Sequence, residues 1–597
     1  MGGGGRLHVD RPLPFLCVHR RPAGERDRGT ADLVRGQASY LATTSSSSEH
    51  AELSHLIEAV VGALTEACGA CLLLEVWAGM HEADSPPVFR VSTSHADELA
   101  TTVGALCDAL RAMTLPYPHL VELAPQGTVS PPGMSPLVSE GAARRGGCLV
   151  VGLEVPPLYR SPAGELYPLV LRALSRQLAG ALQRGFFEFT RVQTASAPEH
   201  HQLMGRRRFV AAVRTVDRAL CRIESSFDFL LDVTPVNTQP AWEAFCAGGR
   251  RGSPTFHYRM LAVDPEVTKR ALYDLPIERL EDPVLALLLR EKRRELDQQL
   301  SMLEDRDTGG FFAGSLRLYG GVDDALLDEA IAILGSVSPP APAAPEEAHV
   351  GAAELARRAD AELAHYRASY PALDGTVEVR DDVPSLVVSR GNLLVPSELR
   401  VRQARVEALL QHEVGTHIVT RANGRAQPLE VLAAGLAGYE ALQEGIAVFA
   451  EFMAGGFDAS RLRLIAARVV GVRRLIEGVS FAPLVEELTE RFGLGARSAF
   501  IVAMRVFRGG GLTKDAIYLR GLRDLLAYLA DDGSLEPLLV GKVSLERVPL
   551  VDELLHRRLF VRPVLSPRWL ASDGARERLA RARTGLRPVD LIGGNAT

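Results

Sequence analysis

Two histidines five positions apart, in the run QHEVGTHIV at residues 411–419, set the tightest condition on how this 597-residue chain can fold. On a regular α-helix, residues i and i+4 stand about 40° apart round the axis, whereas i and i+5 stand about 140° apart. The surrounding stretch, VRQARVEALLQHEVGTHIVTRA, has helical periodicity. His412 and His417 would therefore face different ways unless the helix is locally widened. One π-type turn, with about 4.4 residues per turn, brings them back to about 50° of each other. Gly415 lies between them, and a residue without a Cβ tolerates such an irregularity most readily. The spacing predicts a helix interrupted by a single π turn that aims both imidazoles at one point.

Two imidazoles aimed together are half of a metal site. Chemistry at zinc needs three protein ligands and one open position. Glu413 follows His412 directly and stands about 100° round the helix from it. That places its carboxylate beside the metal, where a general base belongs, as in HExxH zinc proteases. A second long helix is expected over PLEVLAAGLAGYEALQEGIAVFAEFMAGG, after a turn at NGRAQP, and it carries Glu440, Glu444 and Glu451 along related faces. Glu444 is the expected third ligand. It sits in the apolar stretch ALQEGIAVFA, where an unpaired carboxylate is costly and a metal compensates it. Glu440, one turn earlier, is then placed to accept a hydrogen bond from a ligand histidine. A His₂Glu set points to one Zn²⁺ per chain.

Charge excludes some alternatives. The net charge is −6, and no helix-turn-helix, RNA-stacking motif or basic stripe points to nucleic acid. No run of 18 apolar residues is long enough to span a membrane, and MGGGGRLHVDRPLPFLCVHRR has no secretory h-region, so a soluble cytoplasmic protein is expected. Seven cysteines without framework spacing do not form a disulfide scaffold. Cys68 and Cys71 make a lone CxxC that lacks half of a zinc knuckle and reads as a reduced pair.

Along the chain, residues 1–50 are poor in regular signals and end in the Ser-rich linker TTSSSSEH. From 51 to 200, helix-like segments such as AELSHLIEAVVGALTEAC alternate with strand-like runs such as CLLLEVWA and CLVVGLEV. That alternation predicts an α/β domain, with no phosphate loop or nucleophile elbow to give it a role. From 205 to 560 long helices dominate, with a Pro/Ala-rich connector at 336–350 read as a loop inside one domain. The runs TVEVRDD and SLVVSRGNLLV there predict short edge strands beside the catalytic helix, and residues 561–597 read as a C-terminal tail. The fold class is thus α+β, with a mostly helical domain behind an α/β one.

One further segment, RVFRGGGLTKDAIYLRG at 505–521, gathers Arg505, Arg508, Lys514 and Tyr518 at a loop and helix start. Its glycines permit close approach of backbone to a ligand, its cations suit a carboxylate, and Thr513 is placed to cap the following helix. Lysines are rare here, occurring only at 269, 292, 514 and 542.

Taken together, HEVGTH, LQEGIA and RGGGLTKDAIYL resemble the QEGLA-motif family, which has been labelled as modulating flavohaemoglobin expression and is related to the microtubule-associated tyrosine carboxypeptidases. The resemblance covers about 205–560, with QEGIA in place of QEGLA. It implies a mostly helical, zincin-like HExxxH metallopeptidase domain with zinc on His412, His417 and Glu444 and with Glu413 catalytic. It also implies a peptide or protein C-terminus as substrate. The eukaryotic relatives remove a C-terminal tyrosine from tubulin, but no basic microtubule-binding tract occurs in this chain. A carboxypeptidase acting on another peptide is the expected function, with Arg505, Arg508, Lys514 and Tyr518 on the substrate side. The alternative is a regulatory or binding protein, in keeping with the expression-modulating label, whose metal site is structural or vestigial.

Overall fold

The computed structural model describes residues 5–22, 29–45, 50–80, 85–124, 129–139, 141, 143, 146–339 and 348–592. They form two compact units. One comprises residues 1–213 with 277–287 and 552–559, and the other comprises 214–276, 288–551 and 560–597.

A strand buried on both faces reads as an unbroken apolar run, and CLLLEVWA is one: in β4 (Cys71–Ala78) seven of eight residues are buried. It lies mid-sheet in the first unit, in the order β1 (Arg6–Val9), β3 (Ser39–Ser45), β2 (Phe15–Pro22), β4, β7 (Cys148–Val155), β5 (Val88–Thr93), β6 (Leu120–Leu123). Neighbours pair in parallel from β3 through β7, while β1 and β5 join antiparallel to β3 and β7. Side chains alternate between two cores. Phe15, Cys17, Leu72 and Leu74 pack with residues of α1 (Thr30–Arg35), α3 (Ala100–Arg111) and α4 (Pro168–Gln193). Leu16, Val18, Leu41 and Leu73 pack with Leu53, Ile57, Val61 and Leu64 of α2 (His50–Cys68). The result is a three-layer α/β unit.

Residues 1–50 depart from the sequence reading. Rather than a poorly structured arm they supply β1, β2 and β3. Charges and a proline in FLCVHRRP mask its pattern, yet Phe15 to Val18 are all fully buried, two on each face of the sheet. The Ser-rich stretch at 46–49 and most of the Pro/Ala connector, 340–347, lie outside the described residues.

The second unit is mostly helical. Helix α5 (Ala352–Ser369) shares a core with a three-stranded sheet and with α6 (Val406–His412) and α7 (Val419–Arg425). That sheet has the order β10 (Val387–Ser389), β11 (Asn392–Pro396), β9 (Val377–Arg380). A separate pair joins β8 (His349–Gly351) to β12 (Arg400–Arg402). Leu393 and Val395 of β11 meet Leu410, Val414, Ile418 and Val419, so the helix carrying the histidines rests on the sheet. Burying a side chain of this size contributes roughly 1.5–3 kcal/mol.

The second predicted helix is shorter than expected. PLEVLAAGLAG breaks at Gly435 and Gly438, and α8 runs only from Tyr439 to Met453. It crosses α11 (Ile517–Ala530) at two glycines. A Cβ on Gly445 would strike the backbone of Gly521, and one on Gly521 would strike the Ala441 carbonyl oxygen. Helices α9 (Ala459–Ile476) and α10 (Ala496–Phe507) complete the surroundings.

Residues 561–592 are not a loose tail. They carry α12 (Ala575–Ala582), and the fully buried Trp569 packs edge-on to Phe449 of α8. Their sequence is rich in arginine, and a single buried tryptophan leaves no periodic signal. Among the described residues no helix is long and apolar enough to cross a membrane.

Candidate metal centre

Between α6 and α7 the backbone takes a π turn over Glu413–Ile418. Widening the helix frees a carbonyl from its usual partner, and the Thr416 hydroxyl donates to the Gln411 carbonyl oxygen at 2.9 Å. Gly415 is required for a different reason than backbone freedom, because its φ is not positive. A Cβ there would collide with the Gln411 side chain and meet Trp569 at 3.4 Å. Gln411 in turn donates to Glu362 at 2.9 Å and to Glu407 at 3.0 Å, which pins the start of the turn.

The π turn brings the two imidazoles to a centroid separation of 5.1 Å, with ring planes 76° apart. Glu444 of α8 stands opposite. Its Oε2 lies 3.8 Å from His412 Nε2 and 3.8 Å from His417 Nε2. This oxygen is buried and has no hydrogen-bond partner. In a tetrahedral zinc site with bonds near 2.1 Å, ligand atoms sit about 3.4 Å apart. The Glu444 oxygen thus needs to draw in by only a few tenths of an ångström on each histidine to reach such a spacing. A buried, unpartnered carboxylate oxygen equidistant from two imidazole nitrogens is what such a donor set looks like. A carboxylate oxygen of Glu413 also lies within 4.8 Å of one nitrogen of each imidazole.

The electrostatics follow from burial. Burial pushes the His417 imidazole down to about 3, keeping it neutral with a lone pair to offer. It pushes the Glu413 carboxyl up to about 7, which suits a group that must take and return a proton. Glu444 feels the same penalty, but Lys514 and the two histidines outweigh it and hold its pKa below the ordinary value. For His412 burial is likewise outweighed, chiefly by a hydrogen bond to Glu451, and its pKa is raised.

That hydrogen bond corrects one expectation. Glu440 does not accept from a ligand histidine: it pairs with Lys514 at 3.1 Å. The carboxylate on His412 Nδ1 is Glu451, at 2.9 Å. Glu451 is fully buried and is itself held by Arg405 and by Arg461, whose Nε donates to Oε1 at 3.0 Å. With Nδ1 engaged, Nε2 of His412 is the nitrogen turned toward Glu444. The heptad spacing of Glu444 and Glu451 puts both on one face of α8 and was the available signal. Nothing in the sequence marked Arg405 or Arg461.

The segment 505–521 is more self-satisfied than its sequence suggests. Arg505 forks onto Asp515, with Nη2 donating to Oδ1 at 2.8 Å. Arg508 donates to Thr234 at 2.9 Å, and Lys514 also lies 3.8 Å from Glu444. Tyr518 lies under the guanidinium of Arg468, 4.7 Å from its ring centroid. The glycines do not line a ligand site. Gly509, Gly510 and Gly511 all have positive φ, and Cβ atoms there would meet Phe311, the Thr308 carbonyl oxygen and Phe312. Thr513 caps nothing, since its amide and hydroxyl both bond to Ser315.

A family profile described as microtubule-associated tyrosine carboxypeptidase matches residues 243–587, more than half of the chain and all of the centre described above. No curated protein matches the chain. Among solved structures, a lipoprotein of unknown function from Shewanella oneidensis aligns at 12% identity, covering 66% of this chain and 82% of its own, with a TM-score of 0.29.

Proposed function

Since the chain belongs to the microtubule-associated tyrosine carboxypeptidase family, we propose that it is a zinc-dependent carboxypeptidase that releases the last residue of a peptide or protein. The observation that carries this reading is the unpartnered Glu444 Oε2, 3.8 Å from each ligand-facing imidazole nitrogen. His412, His417 and Glu444 would hold the ion. When bound, zinc supplies Lewis acidity that acidifies water and polarises a carbonyl.

The remaining work falls to the chain itself. Glu413, adjacent to the ligands, takes a proton from the attacking water and returns it to the departing amine. Burial keeps its proton affinity near neutrality, so both transfers are close to balanced. Glu451 fixes the tautomer and tilt of His412. Lys514 bridges Glu440 and Glu444 and keeps the ligand carboxylate ionised. The edge strand β10 packs near the π turn, where an extended peptide has hydrogen-bonding groups to meet.

The test is metal content per chain, measured by plasma mass spectrometry on wild type and on Glu444→Ala, both purified without chelator. Alongside it runs cleavage of one peptide as free acid and as C-terminal amide. About one zinc in wild type and almost none in a folded Glu444→Ala is expected, with only the free acid trimmed. A wild type that takes up no zinc when zinc is supplied would overturn the metal assignment. Equal cleavage of acid and amide would overturn the carboxypeptidase reading.

A further inference from the structure

A cavity of about 720 Å³ opens in the helical unit, and its lining includes none of His412, Glu413, His417 and Glu444. That volume is in the range of small-molecule sites. Its walls come from the helices Pro283–Glu304 and Gly309–Tyr319, from the start of α8, from α11 and from residues 544–547.

The charges in these walls do not cancel. Four of the lining carboxylates are already held by cations. Glu291 takes a fork from Arg547, with Nη2 at 2.7 Å, and Glu295 pairs with Lys292 at 2.9 Å. Glu440 pairs with Lys514 at 3.1 Å and Asp524 with Arg523 at 3.2 Å. Among the described residues, Glu546 is the lining carboxylate left without an ion pair, whereas Arg294, Arg317 and Arg520 are three lining cations left without one. Arg520 is half-buried and donates to the carbonyl oxygens of Tyr319, at 2.8 Å, and of Gly321, so its charge meets backbone rather than acid. Arg294 and Arg317 are exposed. Three guanidinium groups against one carboxylate leave a surplus of two positive charges.

A buried group points the same way. Tyr319 lines the cavity and is 7% exposed, and its hydroxyl stands beside the Glu440 carboxylate without a hydrogen bond. A desolvated hydroxyl without a partner is costly, and an oxygen from a ligand would relieve it. Leu318, Leu442 and Ile517 add apolar wall.

We propose that this cavity binds a phosphate monoester with an apolar body, the phosphate taken by the unpaired arginines with the Tyr319 hydroxyl donating to it. A phosphate monoester carries about −1.5 to −2 charges at neutral pH, which matches the surplus. Guanidinium forks also fit its oxygens bidentately. A monocarboxylate would leave half of the surplus unanswered. The site goes beyond the carboxypeptidase reading and does not depend on it.

Calorimetry on the full-length protein, both zinc-loaded and metal-free, measures binding of phenyl phosphate, inorganic phosphate and benzoate. Phenyl phosphate should bind at least about tenfold more tightly than inorganic phosphate, which lacks the ring, and than benzoate, which carries one charge. The preference should persist in both metal states. Arg317→Glu, at an exposed position, should weaken phenyl phosphate at least about tenfold. Tyr319→Phe should weaken it about fivefold, the value of one hydrogen bond. Where Tyr319→Phe does not fold, Arg317→Glu carries the comparison alone. No binding of phenyl phosphate up to about 10 mM overturns the site. Binding that disappears with zinc and ignores Arg317→Glu puts the phosphate on the metal and equally overturns it. Benzoate bound as tightly as phenyl phosphate overturns the dianion assignment.

Discussion

Removing Glu451 separates the positioning of a ligand from the ligand itself. Its Oε1 accepts from His412 Nδ1 at 2.9 Å and from Arg461 Nε at 3.0 Å, while Oε2 pairs with Arg405. Glu451→Ala leaves two half-buried guanidinium groups and a buried imidazole N–H without their common acceptor, and breaking a fully buried ion pair, the upper bound here, costs about 3–5 kcal/mol. Freed of its anchor, His412 samples other tilts and its Nε2 leaves the common point with His417. Loss of an outer partner of this type weakens metal binding by about 10–100-fold, equal to about 1.4–2.7 kcal/mol of binding free energy. Glu451→Gln keeps an oxygen for His412 and Arg461 but turns an amide toward Arg405, and is expected to lose about 1–3 kcal/mol of stability and less affinity than the alanine variant. Zinc affinity is read by competition with a chromophoric chelator and stability by urea unfolding of the metal-free protein. If Glu451→Ala binds zinc as tightly as wild type, the carboxylate does not position His412. If Gln is as damaging as Ala, the hydrogen bond to His412 is not the part that matters.

Two other outcomes follow from burial and packing. Metal-free protein should lose stability as pH rises from about 4.5 to about 7, because Glu413 is protonated in the folded state there and ionised in the unfolded state. The unfolded chain then binds fewer protons, so the slope is negative. The contribution is on the order of 3 kcal/mol, and Glu413→Gln should flatten that part of a urea-unfolding series measured across the range. A series with no such difference between the two proteins would show that Glu413 titrates normally. Gly445→Ala and Gly521→Ala both drive a Cβ into backbone at the α8–α11 crossing. Each should cost about 3 kcal/mol or more in chemical denaturation, since backbone cannot move aside as a side chain does. A cost below about 0.5 kcal/mol would mean that the helices separate freely.

Much of the centre is legible in the sequence because it is written in local spacing. The interval between His412 and His417 demands a π turn, and the backbone makes one at Glu413–Ile418. Glu444 stands out as an acid within an apolar helical run, and the fold places it opposite both imidazoles. What escapes is what depends on the direction from which a distant element arrives. Periodicity puts Glu440, Glu444 and Glu451 on related faces of α8, but not which of Glu440 and Glu451 reaches back to His412. The answer, Glu451, is set by how α8 lies across α6. Arg405, Arg461 and Arg468 look like ordinary members of an arginine-rich chain until their neighbours are known. In the first fifty residues, strands such as FLCVHRRP carry charge at one end and apolar residues at the other, so neither alternation nor a continuous apolar run marks their full length. Trp569 reaches Gly415 of the π turn from 154 positions away in the sequence, a relation no local pattern records.

The π turn also governs how this helix can change by gain or loss of single residues. Deleting one residue between the histidines would restore a four-residue interval and, on a regular helix, would still align His412 with His417. The π turn already returns His417 to nearly the angle of an i+4 residue, so everything after the deletion would rotate by only about 10°. Ile418, Val419 and Ala422 would keep filling the core beneath the sheet. The five-residue and four-residue forms of such a site are therefore neighbours in sequence space. One insertion or deletion, absorbed by making or removing the π turn, passes between them without rebuilding the helix that follows.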